Sequence, residues 1–175
     1  MKLQVLLAVA GHISYICNYM QTNTPDTEDF ELEHFLPYRL SLLTNTVSQG
    51  IAASYRDEYD ISVIEWRILA VLGRYPGLTA SEVTERTAMD KVTIHRAVKT
   101  LMQKNLLERK TDSEDRRRRR LCITAKRGRE VLKKVIPRAR EYEKRLLDTL
   151  ETEEARLLMA IIEKLHRRAA NISET

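Results

Sequence analysis

Thr79 to Thr124 reads TASEVTERTAMD-KVTIHRAVKT-LMQKNLLERK-TDSEDRRRRR-LCIT, and this stretch decides the fold. Thr79 and Glu82 stand three apart, the spacing of a capping box, in which a hydroxyl and a carboxylate satisfy the free N–H groups at a helix start. Val83 is the core contact of that short helix, and Arg86-Thr87-Ala88-Met89 is the turn after it. Asp90 suits the N-cap of a second helix over Lys91 to Lys104, which offers Val92, Ile94, Val98, Leu101 and Met102 to a core. Asn105 tolerates the left-handed conformation that ends such a helix. Leu106 to Lys110 then reads as a strand, Thr111 to Asp115 as a polar turn and Arg119 to Ile123 as the returning strand. Two short helices followed by a hairpin make a winged helix-turn-helix.

Helices flank this unit on both sides. Ser62 to Arg74 carries Ile64, Ile68, Leu69 and Leu72 on one face and stops at Tyr75-Pro76-Gly77. Upstream, Leu32, Leu36, Leu43, Val47 and Ile51 mark a stripe on a long helix from about Phe30 to Tyr55, with Pro37 either kinking it or marking its true start. Downstream, Thr124 caps a helix running to about Leu150, striped by Val131, Leu132, Val135, Ile136, Ala139, Tyr142 and Leu146 and expected to kink at Pro137. A last helix follows Thr152, with Leu158, Ile161, Ile162 and Leu165 along one side. The small middle cannot cover all these stripes, so the outer helices are expected to pair with each other and with a second copy. The expected fold is mainly α with a small β-hairpin wing: a winged helix-turn-helix flanked by N- and C-terminal dimerisation helices. The expected parts are 1–29 (extension and linker), 30–58 (dimerisation helix), 59–124 (winged lobe) and 125–172 (dimerisation helices).

Met1 to Met20 differs from the rest. Lys2 precedes the apolar run Leu3 to Ala10, a faint likeness to a secretory signal, but His12 interrupts it and no small-x-small site follows Ile16. It reads better as an extension that packs on a partner helix or subunit. Cys17 and Cys122 lie far apart without metal-like spacing, which fits a reducing cytosol and buried thiols.

The 175 residues are 31% charged, above the usual fraction of about 25%, and only 6% aromatic. No run of about 18 apolar residues predicts a membrane span. The net charge of +5 conceals an asymmetry. Lys91 to Arg145 holds 20 Lys and Arg against 7 Asp and Glu, whereas the remainder is acidic. A polyanion, nucleic acid above all, is the expected partner of so basic a face; the plain alternative is a solvated helix surface. Enzyme chemistry finds no support: no phosphate-binding glycine loop and no nucleophile elbow occur. Glu31, His34 and His166 could approach a metal, but ordinary surface polar groups account for them, and no cofactor is implied.

Several segments carry a family likeness: Ile68-Leu69, Leu78-Thr79, Met89-Asp90-Lys91-Val92-Thr93-Ile94-His95-Arg96-Ala97-Val98, Leu101, and Leu106-Leu107-Glu108-Arg109. With the wing sequence Asp115 to Thr124, which fits Asp-x-Arg, three residues, aliphatic, one residue, aliphatic, Thr, they resemble the MarR family of transcriptional regulators. The likeness spans about Glu31 to Ala170. It implies an obligate dimer on a palindromic DNA operator, usually repressing until a small ligand or an oxidant intervenes. His95 stands where the family often has Ser, and Asn105 where it usually has Gly.

The resemblance gives the residues roles. Lys91, Thr93, His95, Arg96 and Lys99 are the polar candidates of the recognition helix; Lys91, Thr93 and His95 are expected at base edges and Lys99 at the backbone, with some of the five at the edge of the face. In the wing, Arg117 matches the arginine that enters the minor groove, with Asp115 expected to orient it through a bidentate pair. Arg116, Arg118, Arg119 and Arg120 are expected at phosphates, as are Thr79 and Ser81 at their helix start. His34, Tyr38, Arg39 and Trp66 are candidates for an effector pocket, although Trp66 also reads as plain core. Two further readings stand beside the repressor: an RNA- or protein-binding winged helix acting after transcription, and a redox-sensing repressor using Cys17 or Cys122.

Overall fold

A computed structural model describes residues 30–112, 114–115 and 117–173. The readings of residues 1–29, Cys17 among them, and of Arg116 lie outside these. The chain divides into two units, Met1–Leu42 and Leu43–Thr175.

In the first unit a 3-10 turn, Leu32–His34, precedes helix α1, Leu36–Ala53, which continues into the second unit. The helix begins six residues later than the apolar spacing suggested, and Pro37 marks the start: in a first turn its missing N–H has no partner to lose. Phe30 and Phe35 meet edge to face at 5.1 Å, His34 pairs with Glu31 at 2.7 Å, and Arg39 donates to the Glu33 carbonyl at 3.2 Å.

The second unit continues through a short helix α2, Arg56–Tyr59, closed by Asp60 in the left-handed region at φ 50°. Ser62 and Glu65 form a capping box at the start of α3, Val63–Arg74. Thr79 and Glu82 form another at α4, Ala80–Thr87, and Asp90 caps α5, Lys91–Gln103, by accepting the Thr93 N–H at 2.8 Å. Ala88, between α4 and α5, takes a left-handed φ of 51° that nothing in its side chain favours. At the end of α5, Asn105 is left-handed at φ 56°; its N–H reaches Met102 and that of Leu106 reaches Leu101, a Schellman closure.

Strands β1, Leu107–Thr111, and β2, Arg119–Ile123, pair antiparallel with Leu107 opposite Ile123 and Thr111 opposite Arg119. The Leu121 N–H also reaches the Leu78 carbonyl at 2.8 Å, which ties the wing to the segment before α4. Thr124 donates to the Asn105 carbonyl and accepts the Gly128 N–H, so it serves the start of α6, Arg127–Leu147, as expected. The helix carries on through Pro137. Gly128 permits the close approach here, since a Cβ would lie 2.4 Å from the Leu106 carbonyl oxygen.

Ile68, Leu69 and Leu72 of α3, Val83 of α4, Ile94, Val98 and Leu101 of α5, Leu121 of β2 and Val131 and Val135 of α6 form one core. Val92, expected in that core, is instead 59% exposed: the helix turns it away from Ile94 and Val98. Helix α7, Thr152–Ser173, is different, with no buried residue among those described. Among the described residues no helix is long and apolar enough to cross a membrane.

Candidate nucleic-acid interface

Burying Ile94, Val98 and Leu101 fixes what α5 shows to solvent. Lys91, His95, Arg96 and Lys99 are all exposed, and with Val92 and Arg109 they border an open groove of about 940 Å³. Thr93 does not join them. It is half-buried and borders another cleft, of about 580 Å³, with Asp60, Glu65 and Lys104. In that cleft the Lys104 ammonium lies 3.3 Å from the buried Glu65 carboxylate, joining the end of α5 to the start of α3. Arg96 borders both clefts.

A third concavity, of about 550 Å³, joins α4, α5 and the wing: Ser81, His95, Arg109, Arg117, Arg118 and Arg119 border it. Arg109 is the residue that sequence reasoning left without a role. The signal was strand alternation: Leu107 points into the core, so Arg109, two residues on, shares its face. Glu108 and Lys110 lie on the other face and pair at 3.1 Å.

The wing arginines separate by partner. Asp112 is buried, and its carboxylate accepts the N–H groups of Glu114 (2.8 Å) and Asp115 (3.0 Å) and the Arg120 guanidinium. The Asp115 N–H, then Arg120 and the Glu114 N–H, pull its pKa down to about 2. Arg120 also donates to the Gly77 carbonyl at 2.9 Å. This corrects the expectation that Arg120 meets phosphate: its guanidinium braces the wing against the α3–α4 turn. Arg119 donates to the Thr111 hydroxyl at 2.5 Å, and Arg118 lies 4.0 Å from Glu82. Arg117 is exposed, and Asp115 accepts its backbone N–H at 3.0 Å. Asp115 thus shapes the loop through the main chain, where a bidentate side-chain pair was expected.

Thr79 is likewise engaged. Its hydroxyl donates to Glu82 at 2.9 Å and accepts the Glu82 N–H at 3.3 Å, so a phosphate would have to compete with the capping box. Those bonds from Thr79 keep the Glu82 carboxyl below its ordinary range, the backbone N–H contributing most. Ser81, two residues on from Thr79, is exposed. Cys122 is half-buried and stands opposite Glu108. Trp66 is half-buried with its ring 5.7 Å from that of Tyr55, whose hydroxyl burial pushes up to about 12. His34, Tyr38 and Arg39 belong to the first unit and are exposed there.

A sequence model of the MarR family matches residues 59–118, from the end of α2 to the wing tip. Over this stretch the chain matches the MarR family. Transcriptional regulator HosA of Escherichia coli O127:H6 is 26% identical over 106 residues, 61% of this chain and 78% of HosA. A MarR/EmrR family regulator from Acinetobacter sp. ADP1 superposes with a TM-score of 0.74 at 25% identity, over 81% of this chain and 99% of that one. The Staphylococcus aureus MepR–DNA complex is similar in fold, with a TM-score of 0.69 at 20% identity over 78% and 98% of the two chains. The chain therefore has a winged-helix lobe that matches the MarR family, and the relatives it matches are transcriptional regulators.

Proposed function

We propose that this chain is a ligand-responsive repressor of the MarR family that binds a palindromic operator as a homodimer. The observation that carries the reading is the meeting of Lys91, His95 and Lys99 with Arg109 along one exposed groove, continued by Arg117 to Arg119 of the wing. Lys91 and His95 sit in the first turns of α5, the part of a recognition helix that reaches base edges, while Lys99 lies further along, beside the backbone. Arg96 joins either task, and Thr93 serves at the edge. Arg117 enters the minor groove; Arg118, Arg119 and, beyond the described residues, Arg116 meet phosphates, with Ser81 adding a hydroxyl.

Helix α7 supports the dimer. Leu158, Ile161, Ile162 and Leu165 are 38–46% exposed along one stripe, and a second copy supplies the cover. In functional terms 59–124 is then the DNA-binding lobe, and 30–58 and 125–172 hold the dimer. Two such lobes enter successive major grooves about one helical turn apart. The effector reading keeps His34, Tyr38 and Arg39 of the first unit and Trp66 of the second as candidates, each taken by itself. A ligand changing the spacing of the two lobes would release the operator.

Selection of duplexes from a random library, with the winner rebound across a salt series, tests the reading. An inverted repeat and a steep loss of affinity with salt are expected. Salt-sensitive binding without a sequence winner would overturn it and turn attention to RNA.

A further inference from the structure

Val92 is an exposed apolar side chain on a face rich in basic groups, and with the half-buried Met102 it gives the groove there its apolar lining. It is the second residue of α5 and 59% exposed, whereas Ile94, Val98 and Leu101 fill the buried side. Its isopropyl group serves neither the core nor the helix, in which a β-branched residue is a poorer former than Ala. An exposed valine is unremarked on most surfaces. Here its surroundings matter: it borders the groove with Lys91, Lys99 and Arg109, whose charge draws a polyanion rather than an apolar partner. In the major groove the apolar feature on base edges is the 5-methyl group of thymine, and residues in the first turn of a recognition helix are the ones that reach it.

We propose that Val92 reads a thymine 5-methyl group in each operator half-site, fixing a T·A pair that the cations beside it do not distinguish. This rests on the operator reading above. Because the side chain has a single χ1 and a strong rotamer preference, it loses little freedom on contact.

The test uses the full chain and its selected duplex. Each thymine is replaced in turn by deoxyuridine, which removes only the methyl group, and binding is measured for the natural chain and for Val92→Ala. One thymine per half-site is expected to lose about fourfold in affinity on losing its methyl, the worth of one buried methyl group. Val92→Ala is expected to bind the thymine and uracil duplexes equally. Sequence-specific binding in which no thymine depends on its methyl, or depends on it equally in Val92→Ala, would overturn the inference and leave the operator reading intact. Failure to select any duplex would overturn both.

Discussion

Helices α5 and α7 are both striped with apolar residues at helical spacing, yet only α5 has buried its stripe. Ile94, Val98 and Leu101 lie fully inside the winged lobe, while Leu158, Ile161, Ile162 and Leu165 of α7 remain 38–46% exposed. The same pattern therefore does two jobs. In α5 it is a ruler: packing one side sets the angle at which Lys91, His95 and Lys99 leave the other. In α7 it stays in solvent, and the proposed dimer would cover it, since an exposed apolar stripe gains by burial.

The largest expected effect comes from breaking α7. Ile162→Asp should leave the winged lobe folded but abolish the dimer, and operator affinity should fall at least about a hundredfold because the two half-sites no longer bind together. Sedimentation and duplex binding measure the two losses; an intact dimer would show that the stripe is not the interface. Breaking the frame of α5 acts on stability instead. Gly128→Ala places a Cβ against the Leu106 carbonyl, where α6 packs on the segment that closes α5, and should destabilise by about 1–3 kcal/mol in urea unfolding. An unchanged midpoint would mean the backbone there yields freely.

Within the basic surface the contrast is finer. Arg117→Ala should weaken operator binding about tenfold and shallow the salt slope by about one ion without altering the melting temperature. Arg120→Ala should lower the melting temperature, because its guanidinium joins Asp112 to Gly77. If both arginines behaved alike, the division of the wing into a brace and a contact would fail. The smallest effect is one of pH. The Asp112 carboxyl is held near 2, below its unfolded range, so the stabilisation it gives is fully present near neutrality and lost as pH falls through the ordinary carboxylate range toward 2. Asp112→Asn should remove that acid-dependent component from the pH profile of melting.

The sequence by itself determined the main elements and their order, but not the 3-10 turn Leu32–His34 or the short helix α2. The Thr79–Glu82 capping box, the Asp90 cap, the left-handed Asn105 and the β2 bounds all depend on neighbours within a few residues, where short-range hydrogen bonding and backbone sterics decide; the Ser62–Glu65 box obeys the same rule but was not read. It also placed the basic groups on the recognition helix and wing. What it left open depends on residues far apart in the chain. Val92 was assigned to the core because apolar character marks a residue as able to be buried, not as buried; the packing of α5 on α3 and α4 chose Ile94 and Val98 and turned Val92 outward. Five consecutive arginines are alike as letters, and only Asp112 and Gly77, brought together by the wing and the α3–α4 turn, made Arg120 a brace. Arg109 met His95 only once β1 lay beside α5. Local physics wrote the elements into the sequence; the direction of each side chain waited on tertiary packing, because the partners that bury or bind it are distant in the chain.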